Sequence, residues 1–344
     1  MKKRNVLIAI VALFLIGFLA LFLSQRGCQT KSNNGAHKKV VINEAVRTLL
    51  YLPLYHAKER GYFAQEGVDV EIVTGGTATN SFAAMLSGQA NFSQADPMYV
   101  PISREKGGRT RVVAQVVGRI AVWGLTKNPA VNEITKETLR NKTIATQPRP
   151  MTAYTYAIKT ITDLGLVPDK DVKVIETQSP NEIVPFLNGQ ADYAFTLEPN
   201  TSLAVTKGAK VILSYPQKLG DQVFTGLMTT EDFISQQPDT VQAVVNAYQH
   251  ALQDLKSNPQ GGIATAKIYF PQLSEDVLQL AIKRLVDDEV WPASVGISDD
   301  SWRKALDVRI KVGDLKGTVA ITDAMAQNFA DTAQRKYPLV GSSK

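Results

Sequence analysis

Cysteine occurs once in the chain, at Cys28, so no disulfide can close within it. Histidine is nearly as scarce. His37, His56 and His250 stand far apart, without metal-ligand spacing and without a cysteine to join them. No G-x-S-x-G elbow and no phosphate-cradling P-loop occurs, so nucleophilic and phosphoryl-transfer chemistries have no motif. Low-complexity stretches are absent, and 44% of the 344 residues are apolar, enough for one large core or two medium ones. A basic stripe is also missing. The formal charge of +6 arises at the N-terminus, where the first 43 residues hold Lys2, Lys3, Arg4, Arg26, Lys31, Lys38 and Lys39 and no acid. The remainder has 31 basic against 32 acidic residues, which excludes a phosphate-backbone binder and leaves no nucleic-acid partner.

What is present begins with three basic residues followed by an apolar run from Val6 to Leu23. This pattern is a targeting segment, with residues 1–28 as signal peptide or membrane anchor. Its eighteen residues would make roughly 27 Å of helix, enough to cross a thin hydrocarbon core. Cys28 stands where bacterial lipoproteins carry their lipidated cysteine; Gly27 suits that site, while Gln25 and Arg26 depart from it. Lipidation at Cys28 and a retained anchor helix are therefore both open, and either holds the body at the membrane from outside the cytoplasm. Residues 29–39 are polar and basic, a flexible tether.

The body writes one phrase twice: "LSGQANFSQADP" from Leu86 and "LNGQADYAFTLEP" from Leu187. The same succession precedes each copy. Val68 to Val73 is a strand, Gly75-Gly76-Thr77 a turn, Asn80 to Leu86 a helix stopped at Gly88, and Ala90 to Ser93 a strand. In the second copy the strand is Asp171 to Glu176, Ser179-Pro180 opens the helix, Gly189 ends it, and Ala191 to Phe195 follows. Upstream, Val40 to Glu44 leads into a helix over Pro53 to Gln65, and Thr143 to Thr146 into one over Thr152 to Leu164. Each half thus reads strand, helix, strand, helix, strand. That predicts an α/β fold with two lobes, each a mostly parallel sheet flanked by helices. Ligands of such sheets sit beyond the carboxyl ends of the strands, so the two lobes face a shared cleft. The acid-proline pairs Asp96-Pro97 and Glu198-Pro199 lie just past strand ends, although Leu-x-Gly-Gln is also a plain helix stop.

Arg111 to Asn128 suits a segment leaving one lobe for the other, and Asp221 to Thr230 brings the chain back. The expected division is residues 40–122 with 228–344 as a discontinuous first lobe and 123–227 as the second. Helices from Pro238 and from a Ser274 cap cover the first lobe.

The stretch Leu52 to Pro97, with Ala57-Lys58-Glu59, Gly61-Tyr62-Phe63, Glu66-Gly67, Gly75-Gly76 and Leu86-Ser87-Gly88-Gln89, resembles bacterial ABC-transporter substrate-binding proteins for nitrate, sulfonates, taurine and thiamine-type pyrimidine precursors. The resemblance continues through Leu197-Glu198-Pro199 and Pro238 to Pro259. It implies a periplasmic-binding-protein-like clamshell of type II that captures a small solute and delivers it to an ABC permease and its ATPase, as a monomer and without a cofactor. A membrane-tethered sensing domain and a pyrimidine-precursor biosynthetic enzyme of the same fold stand as alternatives.

Candidate solute contacts follow from position. Gly75, Gly76 and Thr77 precede a helix start and offer backbone donors to an anionic or polar group. Arg149, between two prolines at the matching junction of the second lobe, suits a carboxylate, sulfonate or phosphate, with Met151 and Thr152 beside it. Tyr51, Tyr55, Tyr99 and Tyr154 lie near cleft edges and favour a flat solute, and Leu52, Gln94, Asp96 and Glu198 complete the walls. Trp123, in the crossing segment, lines either the cleft or the hinge.

Overall fold

The computed structural model describes residues 37–338 except 150, 312, 314 and 318. The targeting segment, Cys28 and most of the tether lie outside the described residues. Among the described residues no helix is long and apolar enough to cross a membrane.

Among the described residues, ten strands form two five-stranded sheets. The first contains β1 (Lys38–Glu44), β2 (Val68–Thr74), β3 (Phe92–Ala95) and β4 (Thr110–Arg119). The second contains β5 (Trp123–Thr126), β6 (Thr143–Thr146), β7 (Lys173–Glu176), β8 (Tyr193–Thr196) and β9 (Lys210–Ser214), after which β10 (Asp221–Thr230) rejoins the first. The orders are β2-β1-β3-β10-β4 and β7-β6-β8-β5-β9. Superposed in sequence, β1, β2 and β3 correspond to β6, β7 and β8. Each trio is parallel, and each sheet then receives one antiparallel strand, β10 on β3 and β5 on β8. Both antiparallel strands directly follow a passage of the chain between sheets, so the crossings are woven into the sheets they reach.

The repeated phrase folds alike in both places. The helices Ala78–Leu86 and Val184–Leu187 end at Gly88 and Gly189, with φ of 78° and 76°, a left-handed conformation that glycine adopts without steric cost. The predicted strands there start two residues later than the alternation suggested. The second helix is a single turn, not a helix opening at Ser179-Pro180, because Pro185 fits only the first turn of a helix. The helix expected over Pro53 to Gln65 is likewise split into Leu52–Glu59 and Tyr62–Gln65 by Gly61 at φ 71°. Ser274 precedes the helix Glu275–Asp287 without a side-chain capping bond, contrary to expectation.

Period-two patterning divides the second sheet's cores. Ile144, Tyr193 and Phe195 face one buried cluster with Tyr156 and Tyr215, while Ala145 and Ala194 face another with Ile183 and Phe186. The first sheet packs into one larger core with the helices Pro238–Ser257 and Glu275–Asp287. Leu197 and Phe224 touch the first core and one core of the second sheet.

At the edge of the first sheet, Glu231 opens the helix Glu231–Gln236 and accepts hydrogen bonds from Arg104 and Arg111, each at 2.9 Å, and from Arg109 at 3.1 Å. The Arg104 bond, with help from Arg111 and Arg109, holds its carboxyl down at about 2. A depressed carboxyl stabilises the fold above the ordinary carboxylate range and loses that contribution as pH falls toward its folded value. Glu231→Gln should therefore lower the melting temperature at pH 7, and its gap from the wild type should close as pH falls toward about 2. Thermal unfolding followed by circular dichroism across that range checks this; a gap independent of pH contradicts it.

Candidate functional site

The carboxyl edges of the two parallel trios face each other. Thr48, in the loop after β1, donates its hydroxyl to the carbonyl of Glu198 beyond β8 at 3.1 Å. Asp96, beyond β3, and its partner Arg309 lie close enough to Tyr156 of the second lobe for both charges to act on its phenol. Burial is the main force raising that phenol, the Asp96 charge adds to it, and Arg309 opposes. Gln222, at the start of β10, donates to the Tyr156 hydroxyl at 3.3 Å. Tyr51 belongs to the same region: burial and the charges of Glu44 and Asp96 raise its phenol, while Thr225 hydrogen-bonds it.

The two acids of the repeated phrase do matching work. The Asp96 carboxylate accepts from the Met98 amide at 2.9 Å and pairs with Arg309 of the helix Asp299–Lys311. The Glu198 carboxylate accepts from the Ser202 amide at 3.1 Å, the Ser202 hydroxyl at 2.8 Å and Arg284 Nε at 2.7 Å. Each acid thus caps the turn after its strand and takes one guanidinium from a C-terminal helix. Burial raises the Glu198 carboxyl, and the Arg284 charge and the Ser202 bonds oppose the rise.

Two backbone passages join the sheets, and one buried carboxylate fastens them. Asp288, which ends the helix Glu275–Asp287, accepts from Trp123 Nε1 at 2.6 Å, Ser214 Oγ at 2.9 Å and Gln217 Nε2 at 2.6 Å. Arg119, the last residue of β4, bonds the Asp288 carbonyl and pairs with Asp221, the first residue of β10. A charge with only 5% exposure is tolerated because three donors meet it.

These contacts sort the predicted residues. Trp123 is fully buried and donates to Asp288 beside the passage between the sheets. Tyr55 leaves the cleft wall: its hydroxyl is bonded to Glu44, its ring stacks on Tyr269 at 4.3 Å, and Phe270 meets its edge. Leu52 is also withdrawn, since it is buried and approaches Gly262 of the helix Pro259–Tyr269. Glu198 is occupied by Ser202 and Arg284 and is an interlobe fastener, not a free wall residue. The Gly75 amide is not an anion donor, because it bonds the Glu44 carbonyl at 2.8 Å. Glycine is needed there for another reason, as a Cβ would stand 2.6 Å from Asn43 Oδ1 and 2.9 Å from the Ser81 amide. Gly76 and Thr77 remain exposed at the first edge, with Thr77 Oγ1 capping Asn80 and Thr79 bonded to Tyr99 at 2.7 Å. Gln94 is buried with its oxygen on Tyr248 and its amide nitrogen without a partner. Arg149 forms an exposed pair with Glu176 at 2.7 Å and lies 5.1 Å over the Tyr154 ring, with Met151 and Thr152 half-buried beside it. Arg284, Asp288 and Arg309 were missed because helix periodicity marks them only as polar-face residues. An open cavity of about 390 Å³ lies at the opposite, amino edge of the second sheet, where Lys127 and Lys142 already meet the Leu187 carbonyl and Asp192.

Comparison with known proteins bears on this arrangement. A family profile described as NMT1/THI5 like matches residues 50–261. YtlA of Bacillus subtilis strain 168, provisionally described as a binding protein, is 21% identical over 321 residues, 92% of this chain and 95% of that one. Among solved structures, the periplasmic aliphatic sulphonate binding protein SsuA from Escherichia coli superposes with a TM-score of 0.68 at 13% identity, over 86% of this chain and 99% of the other. The periplasmic nitrate-binding protein NrtA from Synechocystis PCC 6803 gives 0.64 at 14%, over 88% and 89%. The desulfurization enzyme DSZB gives 0.65 at 13%, over 87% and 99%. These likenesses establish the two-lobe binding-protein fold and do not carry a ligand with them.

Asp96→Ala should weaken binding of any solute that stabilises the chain by about 1–3 kcal/mol, because it releases Arg309 and opens the capped turn at the cleft edge. Arg149→Ala, removing an exposed pair, should change it by less than about 0.5 kcal/mol. Isothermal titration distinguishes the two; an unchanged dissociation constant for Asp96→Ala removes it from the site.

Proposed function

Because the chain belongs to the NMT1/THI5-like family, we propose that it is the extracytoplasmic solute-binding component of an ABC importer, capturing a small organic or anionic solute between its lobes and presenting it to a membrane permease. The observation that carries this reading is the facing of two like-built carboxyl edges across a pair of crossings. A solute bridging both edges favours the closed arrangement, and its binding energy selects the form that the permease recognises. Sulphonate- and nitrate-binding proteins among the structural neighbours support this class of solute. The targeting segment supports delivery outside the cytoplasm, with attachment by lipid at Cys28 or by an uncleaved helix.

An enzyme reading stands second, on the observation that DSZB shares the fold. It is disfavoured by the way the charged groups at the facing edges are paired off, Asp96 with Arg309, Glu198 with Arg284 and Arg149 with Glu176, in place of a nucleophile beside a base.

A thermal-shift panel tests the proposal, using the full chain in detergent against nitrate, alkyl sulfonates, taurine, pyrimidines, flavins and aromatic carboxylates. A solute at a hundred times its dissociation constant stabilises by about 2.7 kcal/mol, a rise of several degrees. One solute class should produce such a rise without being consumed. A rise accompanied by turnover of the compound, or no rise with any member, contradicts the proposal.

A further inference from the structure

Of the buried positions at which the two copies of the repeat differ, one carries an ionisable group in the second copy and a hydroxyl in the first. Counting back seven residues from Gly88 and from Gly189 reaches Ser81 and Glu182. Ser81 is satisfied inside its own lobe, donating to the Asn43 carbonyl at 2.6 Å and meeting Ser93 Oγ at 2.7 Å. It ties helix to strand and has nothing left over. The second lobe places a carboxylate at this position.

Glu182 is 2% exposed. Its Oε1 accepts from Thr196 Oγ1 at 2.8 Å and from Asn200 Nδ2 at 2.7 Å. Asn200 also donates to the Pro180 carbonyl at 2.8 Å, so the loop that carries Glu182 is fixed at two points. The other oxygen, Oε2, is buried and has no hydrogen-bond partner. Among the described residues no Lys, Arg or His forms an ion pair with it. Thr196 is the last residue of β8, two positions before Glu198, whose carbonyl meets Thr48 of the first lobe. The carboxylate therefore sits at the carboxyl edge of the second sheet, where the lobes face each other.

Burying an acceptor without a donor is costly, and the cost is removed when a ligand supplies the missing hydrogen. A carboxylate accepts only, so it repels the oxygens of nitrate or a sulfonate group and rewards a group bearing N–H. We infer that Glu182 is a solute-contacting residue and that the solute presents a hydrogen-bond-donating nitrogen, an ammonium, amidinium or ring amino group, to the second lobe. This rests on the solute-binding reading and narrows it: a bare inorganic anion does not satisfy the site, whereas an amino-bearing organic solute does.

The test uses the full chain in detergent and matched probes that differ at the nitrogen, taurine against ethanesulfonate and 4-aminopyrimidine against 4-methylpyrimidine, by isothermal titration. In the wild type the amino member of at least one pair should bind about tenfold tighter or more than its counterpart. Glu182→Gln should lose most of that margin while binding the donor-free member within about twofold of the wild type. Glu182→Asp, which keeps the charge and withdraws the oxygen, should show the same selective loss and serves if the amide variant fails to fold. Equal affinities within each pair that binds, or a variant that weakens both members alike, overturn the assignment and leave the solute-binding reading intact. Silence from all four probes in protein shown folded by circular dichroism, with a thermal shift from nitrate alone, overturns the assignment and leaves the solute-binding reading intact; silence from the whole panel overturns both.

Discussion

The arrangement depends on how the end of one helix holds the opposite lobe. The helix Glu275–Asp287 packs Leu278, Ile282 and Leu285 into the first core, yet its last turn carries Arg284 and leads to Asp288, and both reach across. Arg284 meets Glu198, and Asp288 gathers Trp123, Ser214 and Gln217. Ionic hydrogen bonds between groups this well buried are stronger than their exposed counterparts, because little water competes for them. They fasten the two lobes at one side of the cleft, where the closure proposed above would have its pivot. Motion about that pivot leaves both sheets intact, since the segments that cross between lobes end as hydrogen-bonded strands in the sheets they enter. Leu197 and Phe224, which touch both lobes' cores, cover the same side with apolar contact.

Much of the fold was legible because two physical regularities repeat in the chain. Alternating β-branched residues mark β1 and β2, and glycine at Gly88 and Gly189 marks helix stops that need a left-handed backbone. The first crossing was legible too, as an apolar run from Arg111 to Asn128 that divides into β4 and β5. Proline chemistry and tertiary contact set what the pattern left open. Pro185 shortens a helix that periodicity draws longer, and Gly61 divides another.

The site was less legible, for a different reason. Sequence position identifies residues near strand ends and does not show which of them already have partners. Tyr55 and Asp96 both follow strands of the first sheet, but Tyr55 is closed in by Glu44, Tyr269 and Phe270, while Asp96 keeps a quarter of its side chain exposed beside Arg309. Arg149 is on the second edge as expected, but its guanidinium is held by Glu176 and Tyr154 in solvent. Glu182 shows the converse: nothing in "SPNEIV" separates it from a surface acid, and only the orphaned oxygen in the fold does. The repeat that first suggested two lobes also supplied the internal control, because Ser81 performs the structural part of the role without a charge.

The central claim is that the lobes turn about the Arg284–Asp288 end of the helix to enclose a solute. The most direct measurement is an interlobe distance. Spin labels at Leu86→Cys and Val184→Cys, both exposed and at the ends of corresponding helices, in a chain with Cys28→Ser, report it by double electron–electron resonance. Saturation with the solute that stabilises the protein most should move the distance distribution to a shorter, narrower peak. A distribution unchanged by a solute that calorimetry shows to be bound would contradict the account.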